Sequence, residues 1–116
     1  DTRLSRGLGD VYKRQPFRAP LIVVLVSTKK DHPKVPEMEQ IISTGTAGQN
    51  IMLALSALGY GAIWRTGSFA FNNKISEKFG LNENQTIIGY IYVGTPIGKK
   101  KSLPEMNTND YISIWD

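Results

Sequence analysis

Residues 36–67 read PEMEQIISTGTAGQNIMLALSALGYGAIWRTG, and the reading of this stretch decides the fold. Pro36 suits the first turn of a helix, where its missing N–H removes no hydrogen bond, and Glu37 and Glu39 put negative charge at the positive end of the helix dipole. The apolar run stops at Gly59 and Gly61, which bracket Tyr60 and offer the permissive backbone that a helix end needs. A helix over residues 36–58 would be about 34 Å long, roughly the width of a small domain. Ala47, Ile51, Leu55 and Leu58 fall on one stripe, while Ile41, Ile42, Met52 and Leu53 make the other sides apolar as well. A helix of this kind is expected to be buried nearly all round. Its middle, Ser43 to Gly48, consists of small residues that let another backbone approach closely, which would offset the roughly 1 kcal/mol that a helical glycine costs relative to alanine.

Upstream lies PFRAPLIVVLVST, residues 16–28. The aliphatic, largely β-branched run from Leu21 to Val26 predicts a strand covered on both faces, hence a central one. Residues 29–34 form a polar connection in which His32 is expected at the surface. Downstream, GAIWR at 61–65 is short enough for a strand or an extended entry to a turn. Asn72 or Asn73 then caps a two-turn helix with Ile75 and Phe79 facing the core, closed by Gly80. Thr86 to Val93 (TIIGYIYV) is a second β-rich run. Strict alternation places Ile87, Gly89, Ile91 and Val93 on one face and Ile88, Tyr90 and Tyr92 on the other, with Gly89 marking a close approach by another group. Gly94-Thr95-Pro96 ends the strand. The tail carries Lys99 to Lys101, Pro104 and an alternating segment, Tyr111 to Trp115, that calls for a surface to lie on. The strand-helix-helix-strand order gives an α/β or α+β layered fold, but two central-type strands cannot cover themselves, and more sheet is expected than they supply.

The composition is that of an ordinary globular domain, with 41% hydrophobic residues in 116. The absence of cysteine removes disulfides, thiolate metal sites and cysteine nucleophiles together, and makes the cytoplasm the expected location. No apolar run approaches the ~18 residues of a membrane span, so no membrane is expected among the partners. The net charge of +4 is mild, and from Pro16 onward ten cations face eight acids with their signs scattered. A nucleic-acid footprint needs a clustered basic face with interleaved aromatics, and none is expected here. Residues 1–15, DTRLSRGLGDVYKRQ, show no apolar periodicity and resemble a translated adapter or cloning remnant. They are read as a non-native or disordered arm, with the domain occupying residues 16–116.

Four segments occur in an order and at separations that carry a resemblance: PFRAPLI, KVPEMEQ, LGYGAIWRTG and IIGYIYVGTP. Together they resemble the C-terminal half of the nitroreductase-family flavoproteins, over Pro16 to about Trp115. The resemblance implies an α+β, three-layer α/β/α architecture in which a mixed sheet is sandwiched by helices, incomplete in this chain. It also implies an intertwined homodimer with FMN at the interface, the small-residue face of the long helix meeting the partner subunit. The family's N-terminal helix with its Arg-rich, phosphate-holding motif has no counterpart in these residues. The implied activity is hydride transfer from NAD(P)H to FMN and on to a small-molecule acceptor such as a nitroaromatic or quinone, by ping-pong turnover, with no catalytic side chain or metal called for.

The resemblance also assigns residues. Trp64, Arg65, Thr66 and Gly67 align with the segment that contacts the flavin, where backbone N–H donors and a nearby cation stabilise the negative charge of the reduced ring system. Ala54, Leu55, Ser56, Ala57, Leu58 and Gly59 align with a stretch associated with the nicotinamide nucleotide, although Leu55 and Leu58 read as core. Lys99 and Lys101 are candidates for the flavin phosphate. A competing reading makes Trp64 a core residue and Arg65 an ion-pair partner. A different class of function, a non-catalytic flavin-binding or nucleic-acid- or anion-binding module, would use the cluster from Lys99 to Lys101, though a solvated charge run accounts for it as well. By itself the chain is expected to be an inactive fragment whose buried-type strands lack neighbours.

Overall fold

A computed structural model describes residues 19–67 and 72–116. The β-branched run forms strand β1 (Leu21–Thr28) and leads to helix α1 (Glu37–Ala57) and strand β2 (Gly61–Arg65). A six-residue helix, α2 (Asn73–Lys78), strand β3 (Gln85–Gly94) and a 3-10 turn at Thr108–Asp110 follow. The arm read at residues 1–15 lies outside the described residues.

The three strands are ordered β1-β3-β2, and β3 runs antiparallel to both neighbours. β1 and β2 therefore run parallel to each other, one on each side of β3. This corrects two expectations. GAIWR is a full strand, so β3 has ladder partners on both edges and the chain does not hold merely two unpartnered strands. β1 is an edge strand among the described residues, and Leu21 at its start is 55% exposed. The centre of the sheet is β3, where Ile87, Tyr90, Ile91, Tyr92 and Val93 are all buried.

Strict alternation also fails at one point in β3. Leu25 pairs with Gly89, but Val26 pairs with Ile87, so Ile88 is an extra residue that bulges the strand. Ile87 consequently joins Tyr90 and Tyr92 on one face, with Ile22, Val24, Val26, Ile75 and Leu81 against them. Ile88 joins Ile91, Val93 and Leu25 on the other, beneath Ile51, Met52, Leu55 and Trp64. The bulge exchanges the faces predicted for the two isoleucines.

Helix α1 lies on the second of these faces. Its covered stripe runs through Gly48, Ile51, Met52 and Leu55, not through Ala47 and Leu58, which are exposed. Only Gly48 is fully buried, whereas Ile42 is 60% and Leu58 73% exposed, so within this chain the helix is covered on one side. For Gly48 the expectation of a contact with a partner is corrected, while Ser43, Thr46 and Ala47 remain exposed. A methyl group built on Gly48 would lie 2.6 Å from both Leu25 Cδ1 and Trp64 Cζ3, because this glycine sits against its own sheet. Gly89 meets the same side chain from below, since a methyl there would lie 2.5 Å from Trp64 Cε2. The indole thus fills the space that two missing side chains leave between helix and strand.

The ends of α1 are fixed locally. At its start Gln40 binds the preceding loop: its Oε1 accepts from Lys30 N at 2.9 Å, and its Nε2 donates to Lys30 O at 2.9 Å and to Val35 O at 3.1 Å. At its end Gly59 takes φ +90°, Gly59 N donates to Ser56 O, and Tyr60 N donates to Leu55 O. These are the two bonds of a Schellman cap, which reverses the chain into β2. Gly61 belongs to β2 and has no positive φ. In α2 the Asn72 side chain accepts from Lys74 N at 2.9 Å, as a capping asparagine should. Ile75 packs on the sheet, but Phe79 falls past the last turn as the C-cap and is 50% exposed, not a core residue. Residues 97–116 are exposed, and the alternating segment Tyr111 to Trp115 has no strand structure.

Two measurements check this core. Gly89→Ala should cost about 1–3 kcal/mol by overpacking against Trp64, and Trp64→Leu should relieve much of that cost. An unchanged denaturation midpoint for Gly89→Ala would contradict the packing. Burial, and secondarily the neighbouring Tyr92, push the Tyr90 phenol up from 10.0 to about 12. Because the folded state holds this proton where the unfolded state has released it, stability should fall between pH 10 and about 12, by up to about 3 kcal/mol. Tyr90→Phe should remove that component of the alkaline loss, and an identical pH dependence in the variant would contradict it.

Candidate functional site

Strand geometry determines what the WRTG corner can offer. Successive side chains of β2 point to opposite faces, so Trp64, directed into the helix-covered face, obliges Arg65 to project from the other. Arg65 is exposed there, with its Cζ 6.0 Å from the centroid of the Tyr92 ring. The register pairs Arg65 with Tyr90 and Ile63 with Tyr92, so the guanidinium reaches Tyr92 along the diagonal. No carboxylate among the described residues forms an ion pair with Arg65. Thr66 follows, half-buried, and Gly67 turns the chain at φ +62°, a left-handed conformation that disfavours a side chain.

Arg65 stands at an open cleft of about 700 Å³. Its walls include Gly61 and Ile63 of β2, Tyr92 and Gly94 of β3, and Pro96 beyond. A cation, an aromatic ring and backbone left bare by glycines suit a flat, anionic or polar ligand. A second, mostly apolar hollow of about 330 Å³ adjoins it, sharing Pro20, Val93, Gly94 and Thr95 and adding Leu55 and Tyr60. Both hollows open around the end of β3, where Gly94-Thr95-Pro96 carries the chain off the sheet.

The structure brings some of the sequence-derived residues together and separates others. Arg65 lines the larger cleft and Leu55 the smaller. The Trp64 side chain is on the opposite face from Arg65, packed between Gly48 and Gly89, so only its backbone belongs to the corner. Of Ala54 to Gly59, Leu55 packs into the core, while Ala54, Ser56, Ala57, Leu58 and Gly59 are exposed; the core reading of Leu58 is corrected by its position past the last buried turn. Lys99, Lys100 and Lys101 are exposed on the segment after β3 and do not line either hollow. Tyr92, Tyr60 and Pro20 were not singled out by sequence reasoning. The usable signal for Tyr92 was its placement on the face of β3 that Arg65 shares, which needs the strand register. Among the described residues no group of three or more potential metal ligands occurs, and no helix is long and apolar enough to cross a membrane.

A family model described as "Nitroreductase family" matches residues 4–95. The chain belongs to the nitroreductase family. The match begins within the segment read above as an arm. Among curated proteins this nitroreductase-family chain is 40% identical over 87 residues to "Putative NAD(P)H nitroreductase YdjA" of Escherichia coli strain K12, covering 75% of this chain and 48% of that protein. The chain thus spans about half the length of the curated relatives it matches. Its fold is that of solved nitroreductases. It superposes on a nitroreductase-like family protein from Bacillus cereus with a TM-score of 0.71 at 19% identity, over 92% of this chain and 60% of that one. It also superposes on the FMN and NADPH-dependent nitroreductase NfnB from Sphigopyxis sp. strain HMH with a TM-score of 0.67 at 17% identity, over 86% and 44% of the two chains.

Proposed function

We propose that the chain forms part of an FMN-dependent NAD(P)H oxidoreductase of nitroreductase type, acting as a cytoplasmic homodimer. When bound, FMN would supply the chemistry that takes a hydride from NAD(P)H and passes electrons to a nitroaromatic, quinone or similar acceptor in ping-pong turnover. The observation that carries this reading is the exposed Arg65 on a glycine-walled cleft in a chain of this family. A relative's name refers to NAD(P)H and a structural neighbour's to FMN and NADPH, which supports the choice of cofactor and reductant.

The chain's own residues then have separable tasks. Arg65 holds a positive charge where an anionic ring system is to lie, and a bound ring that covers the open cleft would displace water from around that charge and strengthen the attraction. The backbone N–H groups of Trp64, Thr66 and Gly67 would be the donors to the same ring system. Lys99 and Lys101 lie on the exposed segment after β3, within the stretch proposed to meet the flavin phosphate. Ala54 to Gly59 span the end of α1 and its cap, with Leu55 lining the apolar hollow and the others exposed beside it, the side proposed for approach of the nicotinamide nucleotide. Met38, Ile42 and Leu53 of α1 and its C-cap Leu58 are apolar and uncovered by the sheet, a surface that calls for a cover, which the rest of the protein and the proposed partner subunit would share.

Arg65→Ala in the full-length protein should weaken flavin retention or slow flavin reduction while leaving the fold intact. Flavin fluorescence and NAD(P)H oxidation are the readouts, and wild-type affinity together with wild-type turnover would return Arg65 to a surface role. The 116-residue chain assayed alone should oxidise no NAD(P)H; a soluble, yellow, active preparation would overturn the assignment of this chain as one part of the enzyme.

A further inference from the structure

We infer that Tyr92 is a positioning residue for Arg65, its ring fixing where the guanidinium stands in the cleft. The inference rests on the reading of that cleft as the flavin site. Arg65 has a long, flexible side chain, and no ion pair among the described residues restrains it. Its Cζ lies 6.0 Å from the Tyr92 centroid, within the range where a cation is drawn to the face of an aromatic ring. Tyr92 is itself only 7% exposed and packed with Ile87 and Tyr90 on the central strand, so its ring is a fixed platform. Directly across the ladder Arg65 faces Tyr90, yet its charge lies over Tyr92, one diagonal step back along β2. That step carries the guanidinium toward Gly61 and Pro96, into the cleft rather than toward the turn at Gly67. The Tyr92 ring lies beneath the charge and also lines the cleft, and it acts on a ligand through Arg65.

A double-mutant cycle in the full-length flavoprotein tests this, with FMN affinity measured by fluorescence quenching. Tyr92→Leu should raise the FMN dissociation constant by about two- to fivefold, the range expected from an exposed to partly desolvated cation–ring contact. Tyr92→Phe, which keeps the ring, should restore affinity to near the starting value. In an Arg65→Ala background Tyr92→Leu should add no further loss. Independent, additive losses from the two positions would overturn the inference, as would a Tyr92→Phe defect equal to that of Tyr92→Leu. If Arg65→Ala leaves FMN affinity unchanged, the cleft is not the flavin site, and the positioning role falls with it. A cofactor-free measurement guards against a Tyr92→Leu variant that does not fold: in the unmutated protein stripped of FMN, the Arg65 side-chain Nε–H resonance should be shifted upfield by the ring current of Tyr92. A resonance at the position of a free arginine would overturn the proposal without any variant.

Discussion

The Trp64 indole between Gly48 and Gly89 is the contact on which the rest of the structure depends. A large aromatic side chain contributes much of the apolar area a small core can bury, and here it does so only because two backbone positions, one on helix α1 and one on the central strand, carry no side chain. The contact ties together three elements that are distant in sequence. It also fixes the orientation of β2: with Trp64 committed to the helix-covered face, the period of the strand leaves Arg65 no choice but the open one. The core and the candidate site are therefore two faces of one five-residue strand.

The long helix and the two β-rich runs were legible from the sequence because their signals are local: a proline and two glutamates at the start of α1, Gly59 at its end, and β-branched residues in β1 and β3. The Schellman cap at Gly59 and the asparagine cap at Asn72 followed from the same kind of signal. What was not legible depended on partners distant in sequence. The bulge that sends Ile87 and Ile88 to opposite faces exists only in the register between β1 and β3. The role of Gly48 turned on which side of a nearly all-apolar helix meets the sheet, and apolar residues on every side leave that rotation undetermined. Of the small residues of α1 only Gly48 is a place of close approach among the described residues, and the groups approaching it are Trp64 and Leu25 of the same chain.

The site was legible in the same partial way. Arg65 could be singled out from the WRTG corner, yet its companion Tyr92 could not, because nothing in the local sequence of either residue points to the other. The competing readings of the corner turn out to divide between adjacent residues: the Trp64 side chain is core, and Arg65 stands in the cleft without an ion-pair partner among the described residues. Alternation along a strand makes this division natural, since adjacent residues in a half-covered strand seldom share a role. The apolar side of α1 belongs to the same logic, as one face of the helix packs on the sheet and the other is left uncovered among the described residues.

We propose that the WRTG corner works by separating a core-packed tryptophan from a cleft-facing arginine. A crystal structure of the full-length protein with FMN bound tests it most directly. The expected result is the Trp64 ring between Gly48 and Gly89 and the flavin in the cleft beside Arg65 and Tyr92, within reach of the backbone N–H groups of Trp64, Thr66 and Gly67. A flavin stacked on the Trp64 indole, or bound away from the β2–β3 cleft altogether, would contradict it.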